Sequence, residues 1–191
     1  MRTIAYLKHH SDSIPELARI WHEELGQIWI PDVPVSRVED NLHNHLNTEQ
    51  LPITFVAFED QKPVGMCSLR VNDGIRPELT PWLGSLVVSK AFQKQGIARQ
   101  LIDKTKEKAL TLGFKNLYLF AFDPTIPDYY TRLGWRRIGL DKFKDHSVTV
   151  MEITLQALAP TYNLLAPVCL SADVCKFLKA NAVLLSINEP E

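Results

Sequence analysis

"SLVVSKAFQKQGIARQLIDKTKEKA", Ser85 to Ala109, passes from an apolar strand through a polar, glycine-containing bend into a helix. The strand reads as Leu83 to Ser89. Beyond the bend, Ala98, Leu101, Ile102, Thr105, Ala109 and Leu112 recur at helical spacing, and Gly113 supplies a stop. Asn116 to Phe122 is then a strongly apolar strand. A strand–helix–strand order of this length requires a parallel crossover, so one strand pair of the sheet is parallel. The bend Gln93-Lys94-Gln95-Gly96-Ile97-Ala98 lacks bulk where the helix begins. First-turn amides have no intrahelical partners and sit at the positive end of the helix dipole, so a turn free of side chains suits a phosphate. Lys94 and Arg99 flank it and can add charge-assisted contacts. A glycine present for turn geometry alone is the competing reading.

Upstream, Thr3 to Lys8 alternates like a strand. Ser13-Ile14-Pro15-Glu16 has the form of a capping box, followed by Leu17, Ile20, Trp21 and Leu25 on an inward stripe, with Gly26 as a stop. Ser36-Arg37-Val38-Glu39 repeats the capping signal for a second helix carrying Val38, Leu42 and Leu46. Ile53–Phe58 and Val64–Val71 form a hairpin across Glu59–Lys62, and the loop Asn72–Pro81 leads into the central strand, with Trp82 anchoring it. Downstream, Tyr129–Leu133 makes a short helix closed by Gly134, and strands follow at about Trp135–Leu140 and Val148–Leu155. From Gln156 onward two prolines and no clear period mark an extension, with a helix predicted over Ser171–Ile187. Packing on the domain and contact with a partner, a homodimer included, are both open for it.

The chain of 191 residues is 46% hydrophobic and 23% charged with a net charge of −1, an ordinary globular composition. No global field recruits nucleic acid or acidic membrane. Neither a leader-like apolar run at the N-terminus nor a membrane-length segment occurs, and Cys67, Cys169 and Cys175 show no metal-type pairing. A cytoplasmic protein with reduced thiols is expected. His43 and His45 lie about 200° apart around a helix, so they read as surface histidines and not as a metal pair.

The spacing of the bend fits neither a Walker loop nor a dinucleotide-binding loop. Gln93-x-x-Gly96-x-Ala98, placed after a strand and before an amphipathic helix, resembles the acetyl-CoA-binding motif of the GNAT superfamily of N-acetyltransferases. Tyr129-Tyr130-x-x-x-Gly134-Trp135 is similar to that family's aromatic-Tyr-x-x-x-Gly-aromatic segment. The resemblance covers residues 1 to about 155 and implies an α/β (α+β) fold: a mixed, mostly antiparallel sheet of about seven strands flanked by helices, with residues 156–191 as a C-terminal extension. It implies acetyl-CoA as co-substrate, without a metal. Pantetheine would pair with the backbone of Leu86, Val87 and Val88, and the pyrophosphate would meet the amides of Lys94, Gln95, Gly96, Ile97, Ala98 and Arg99, with Gln93 also among the cofactor-binding residues.

Acetyl transfer needs a neutral amine, a stabilised oxyanion and a proton for the departing thiolate. Tyr130 matches the position that often serves the family as general acid. The two central strands carry no carboxylate, which departs from the family's common pattern. Glu78, on the loop entering the first of them, is the nearest candidate base, and a solvated loop carboxylate is its alternative. Asp123 replaces an Asn common in the family, and can act as an acceptor for the cofactor, as a base or as a cap for the short helix. Glu23, Glu24, Asp73 and Glu78 hint at a cationic amine. The expected acceptor is a primary amine, on a small molecule or at a protein N-terminus or Lys. A non-catalytic acyl-CoA-binding module is the rival reading.

Overall fold

The computed structural model of the chain describes residues 1–122 and 125–156. Asp123 and the C-terminal extension, with its predicted helix, lie outside the described residues. Seven strands form one sheet in the order β1-β2-β3-β4-β5-β7-β6. They are β1 Arg2–Tyr6, β2 Ile53–Glu59, β3 Lys62–Arg70, β4 Trp82–Val88, β5 Asn116–Ala121, β6 Arg136–Phe143 and β7 His146–Thr154. The β4–β5 pair is parallel and every other pair antiparallel, as the crossover predicts. The helices are α1 Ile14–Trp21, α2 Gln27–Trp29, α3 Val35–His43, α4 Ile97–Thr111 and α5 Ile126–Arg132.

Side-chain alternation assigns the layers. In β2, Phe55 and Ala57 join Ile97, Leu101, Ile102 and Ala109 of α4, while Val56 and Phe58 join Leu17, Ala18 and Leu42 of α1 and α3. Helices therefore cover both faces, and β2 is buried without a break from Ile53 to Phe58. The β2–β3 connection is a two-residue turn in which Asp60 and Gln61 have φ of 45° and 69°, the handedness a tight hairpin needs. Trp82 is fully buried and donates from Nε1 to Leu79 O at 2.6 Å, anchoring the preceding loop as expected.

Several sequence expectations are corrected. Neither capping box forms: Ser13 is already in the helical region because the 3-10 turn Ser11–Ser13 runs straight into α1, and Pro34, extended at φ −69° and ψ 145°, precedes α3 at Val35. Gly26 does not stop the first helix. It keeps helical angles, and the π turn His22–Gly26 carries the chain into α2. His45 is buried, not a surface residue; its Nδ1 lies 2.8 Å from Thr54 Oγ1, which lies 2.7 Å from Ser68 Oγ. Among the described residues, no helix is long and apolar enough to cross a membrane.

Burial lowers the His45 pKa from 6.5 to about 4, with the nearby Arg70 charge acting in the same direction. Below pH 6.5 the unfolded imidazole takes up a proton that the folded one refuses, so this stability is whole above 6.5 and is lost as pH falls toward 4. The loss amounts to about 3 kcal/mol by the linkage relation. Urea unfolding of the parent and of His45→Gln at pH 7, 5.5 and 4.5 checks this. The difference between the two proteins should shrink as pH falls, and a constant difference would contradict it.

Candidate active site

β4 and β5 meet at one register pair, Trp82↔Tyr118, and then part. Their separation opens a cavity of about 620 Å³ lined by Leu83 to Leu86 of one strand and Leu119 to Phe122 at the other. Residues of α1, α2 and α3 and of the turns between them wall it on one face of the sheet. The bend before α4 contributes nothing to this wall, because α4 packs on the opposite face.

At that bend Gly96 has φ 81° and ψ 1°, a left-handed conformation that favours glycine, and a Cβ there would meet nothing within 4 Å. Lys94 also has a positive φ, 60°. Gly96 precedes the first residue of α4 without a side-chain cap, so the first-turn amides point into open space. The bend is braced from its other side. Glu24 accepts from Lys90 N at 3.0 Å and from Gln93 Nε2 at 3.1 Å, and Arg2 Nη1 donates to Gln95 O at 2.9 Å. Arg99 is exposed, with Asp103 3.7 Å away. Gln93 also donates to Val88 O at 3.0 Å, so that carbonyl is already engaged, whereas Leu86 lines the opening.

Tyr130 of α5 is buried against Trp135 and Tyr129 and reaches the cavity from the α4 face. Burial raises its phenol pKa well above the ordinary value, so its O–H stays protonated. Glu78 is exposed and is not among the cavity-lining residues. The structure thus brings Tyr130 and Leu86 to the cavity, sets Gln93 to Arg99 on the other face of the sheet, and leaves Glu78 apart from both.

The carboxylate that does line the cavity is Asp73. Arg70 Nη1 donates to Asp73 Oδ1 at 2.6 Å, and Arg70 Nη2 donates to Ser85 Oγ at 2.5 Å. Trp21 Nε1 donates to the same Ser85 Oγ at 3.1 Å. Trp21 packs on the core with the stripe predicted for it and also lines the cleft. Ser85 sits at a register shift of the β3–β4 pair with φ 49°, which turns it out of the strand. Burial pushes the Asp73 carboxyl above its usual range against the opposing pull of Arg70. Trp29 was unread in the sequence; its ring lies 5.7 Å from Phe120, 5.6 Å from Phe122 and 5.5 Å from Phe143, centroid to centroid.

A family model described as acetyltransferase (GNAT) family matches residues 15–135. The sequence matches no curated protein. Among solved structures, a probable acetyltransferase from Staphylococcus epidermidis is 18% identical, with a TM-score of 0.63 over 82% of this chain and 100% of its own. The ribosomal-protein-S18-alanine N-acetyltransferase from Escherichia coli is 16% identical, with a TM-score of 0.60 over 84% and 98%. An aminoglycoside 6'-N-acetyltransferase complexed with coenzyme A is 17% identical, with a TM-score of 0.60 over 82% and 99%. At these identities the structural likeness is one of fold.

The Asp73 carboxylate packs on bare backbone at Gly84, where a Cβ would lie 2.8 Å from Oδ2 and 2.9 Å from Oδ1. Gly84→Ala should displace Asp73 from Arg70 and destabilise by about 1–3 kcal/mol, the usual cost of overpacking. Denaturant unfolding measures it, and an unchanged midpoint would show that the carboxylate gives way freely.

Proposed function

The chain belongs to the GNAT family of acetyltransferases, and from that premise we propose that it moves an acetyl group from acetyl-CoA to a primary amine by direct attack in a ternary complex. The carrying observation is the parting of β4 from β5, which leaves an opening between an uncovered helix start on one face and an enclosed cavity on the other. The acetyltransferase domain in this reading spans residues 1–155, with 156–191 as an extension.

The residues fit the donor. The bend offers amides of Lys94 to Arg99 beside open space at Gly96, as a pyrophosphate requires, with Lys94 and Arg99 adding charge. Gln93 shapes the bend instead of touching phosphate, since its amide holds Val88 O and Glu24. Leu86 and Val87 lie where the edge of β4 facing β5 has no partner strand and can receive an extended pantetheine like an added strand. Val88 joins them through its remaining backbone capacity. Asp123, two residues after Ala121 in the sequence, is proposed as a further acceptor for that arm.

When bound, acetyl-CoA supplies a thioester whose carbonyl carbon takes the amine nitrogen as the C–S bond breaks. The amine loses a proton and the sulfur gains one, so no further reagent is required. Tyr130 holds its proton at Oη and donates a hydrogen bond to the departing sulfur. A phenol less acidic than a thiol lends that proton to the thiolate and regains one from solvent, which balances the proton that the amine releases to its base. Asp73, held by Arg70 and set on the acceptor face, is better placed than Glu78 to receive the amine's proton. Burial raises its pKa above the ordinary Asp value, which strengthens it as a base.

Acetyl-CoA at 100 times its Kd should stabilise the fold by about 2.7 kcal/mol, seen as a higher Tm. Gly96→Val should abolish most of that shift, because a branched side chain would cover the amides. Tyr130→Phe should keep the shift while lowering kcat by about 10²-fold in an amine-dependent thiol-release assay. No thermal shift would overturn the donor assignment, and full turnover by Tyr130→Phe would overturn its role. A shift without thiol release from any amine would favour a binding module.

A further inference from the structure

Resting on the acetyltransferase reading, we infer that the acceptor is a small primary monoamine carried on an aromatic or alkyl body, which enters amine first and stops at Asp73. The acceptor face of the cavity is built mainly from apolar rings and branched chains, among them Trp21, Ile28, Trp29, Phe120, Phe122 and Phe143. Ile28 and Phe122 are 43% and 40% exposed at its rim, a solvent exposure that a covering apolar body would relieve. Trp29 is held edge-on to the three phenylalanines, and Phe120 and Phe143 lie tilted against each other, so the slot they bound is preformed.

The charges point the same way. Among the described residues that line the cavity, Asp73 is the sole carboxylate, set against the cations Arg37 and Arg70. Arg70 is committed to Asp73 and Ser85. Arg37 stands exposed on α3 with no partner among the described residues. A polycation would therefore meet one carboxylate already shared and a free guanidinium at the mouth. A single amine meets Asp73 Oδ2, which accepts no hydrogen bond from the described residues although the side chain is only 13% exposed. Apolar walls ending in one open acceptor select a monoamine over a polyamine or an aminoglycoside by charge, and over a peptide N-terminus by the cost of desolvating backbone amides against the rings.

Thiol release by the full chain with acetyl-CoA is compared for 2-phenylethylamine, spermidine, kanamycin and an alanine-initiated hexapeptide. The expected kcat/KM for 2-phenylethylamine exceeds each of the others at least 10-fold. Phe122→Ser, at an exposed rim position that tolerates substitution, should raise the KM for 2-phenylethylamine at least 5-fold with the KM for acetyl-CoA within 2-fold. Arg37→Glu should raise kcat/KM for spermidine several-fold relative to that for 2-phenylethylamine, and an unchanged ratio would contradict the charge argument. Preference for spermidine, kanamycin or the peptide overturns the inference and leaves the acetyltransferase reading standing. Refusal of all four amines despite a thermal shift with acetyl-CoA also overturns it. Absence of both shift and turnover removes the two readings together.

Discussion

The structure depends on a strand pair that begins and does not continue. β4 and β5 run parallel because α4 crosses between them, and they pair at Trp82 and Tyr118 alone before their backbones diverge. Unpaired strand edges are costly inside a protein unless something completes them. Here β3 satisfies the other edge of β4, and β7 that of β5 over all of Asn116 to Ala121. The sheet is thus held firmly on both sides of a gap. Trp82, buried at the closed end and tied to Leu79 O, acts as the pin from which the strands splay.

That gap divides the labour between two faces. One face carries α4, whose uncapped start faces open space, and the other carries α1 to α3, whose side chains close a cavity. Tyr130 crosses from the first face to the second through the opening. The Trp21–Ser85–Arg70–Asp73 chain then ties α1, β4, β3 and the following loop together on the acceptor side. Glu24 ties the turn after α1 to the bend before α4, so the elements that wall the cavity also position the helix start.

Elements whose signal is local were legible in the sequence. Period-2 and period-3.6 patterns located the strands and α4, the crossover required a parallel pair, and the Gln93–Ala98 and Tyr129–Trp135 motifs led to the family and to Tyr130. Features that exist only after folding were not. Asp73 looked like one loop acid among several, and it stands apart because Arg70 and Gly84 meet it from different strands. Trp29 lies in a three-residue helix with no periodicity to read, and its partners come from β5, the residue just after it, β6 and β7. His45 looked exposed when placed on one helix with His43, whereas it falls past the end of α3, where Thr54 and Ser68 give it a buried place. The capping boxes failed because the preceding turns already fixed the helix entries.

The most direct test of the gap as the meeting place of donor and acceptor is amide hydrogen exchange with and without coenzyme A, resolved along the chain. Slowed exchange should concentrate at Leu86 to Val88 and at Lys94 to Arg99, with β1 and β6 unchanged. Protection confined to the α1–α3 wall, or spread evenly over the sheet, would contradict it.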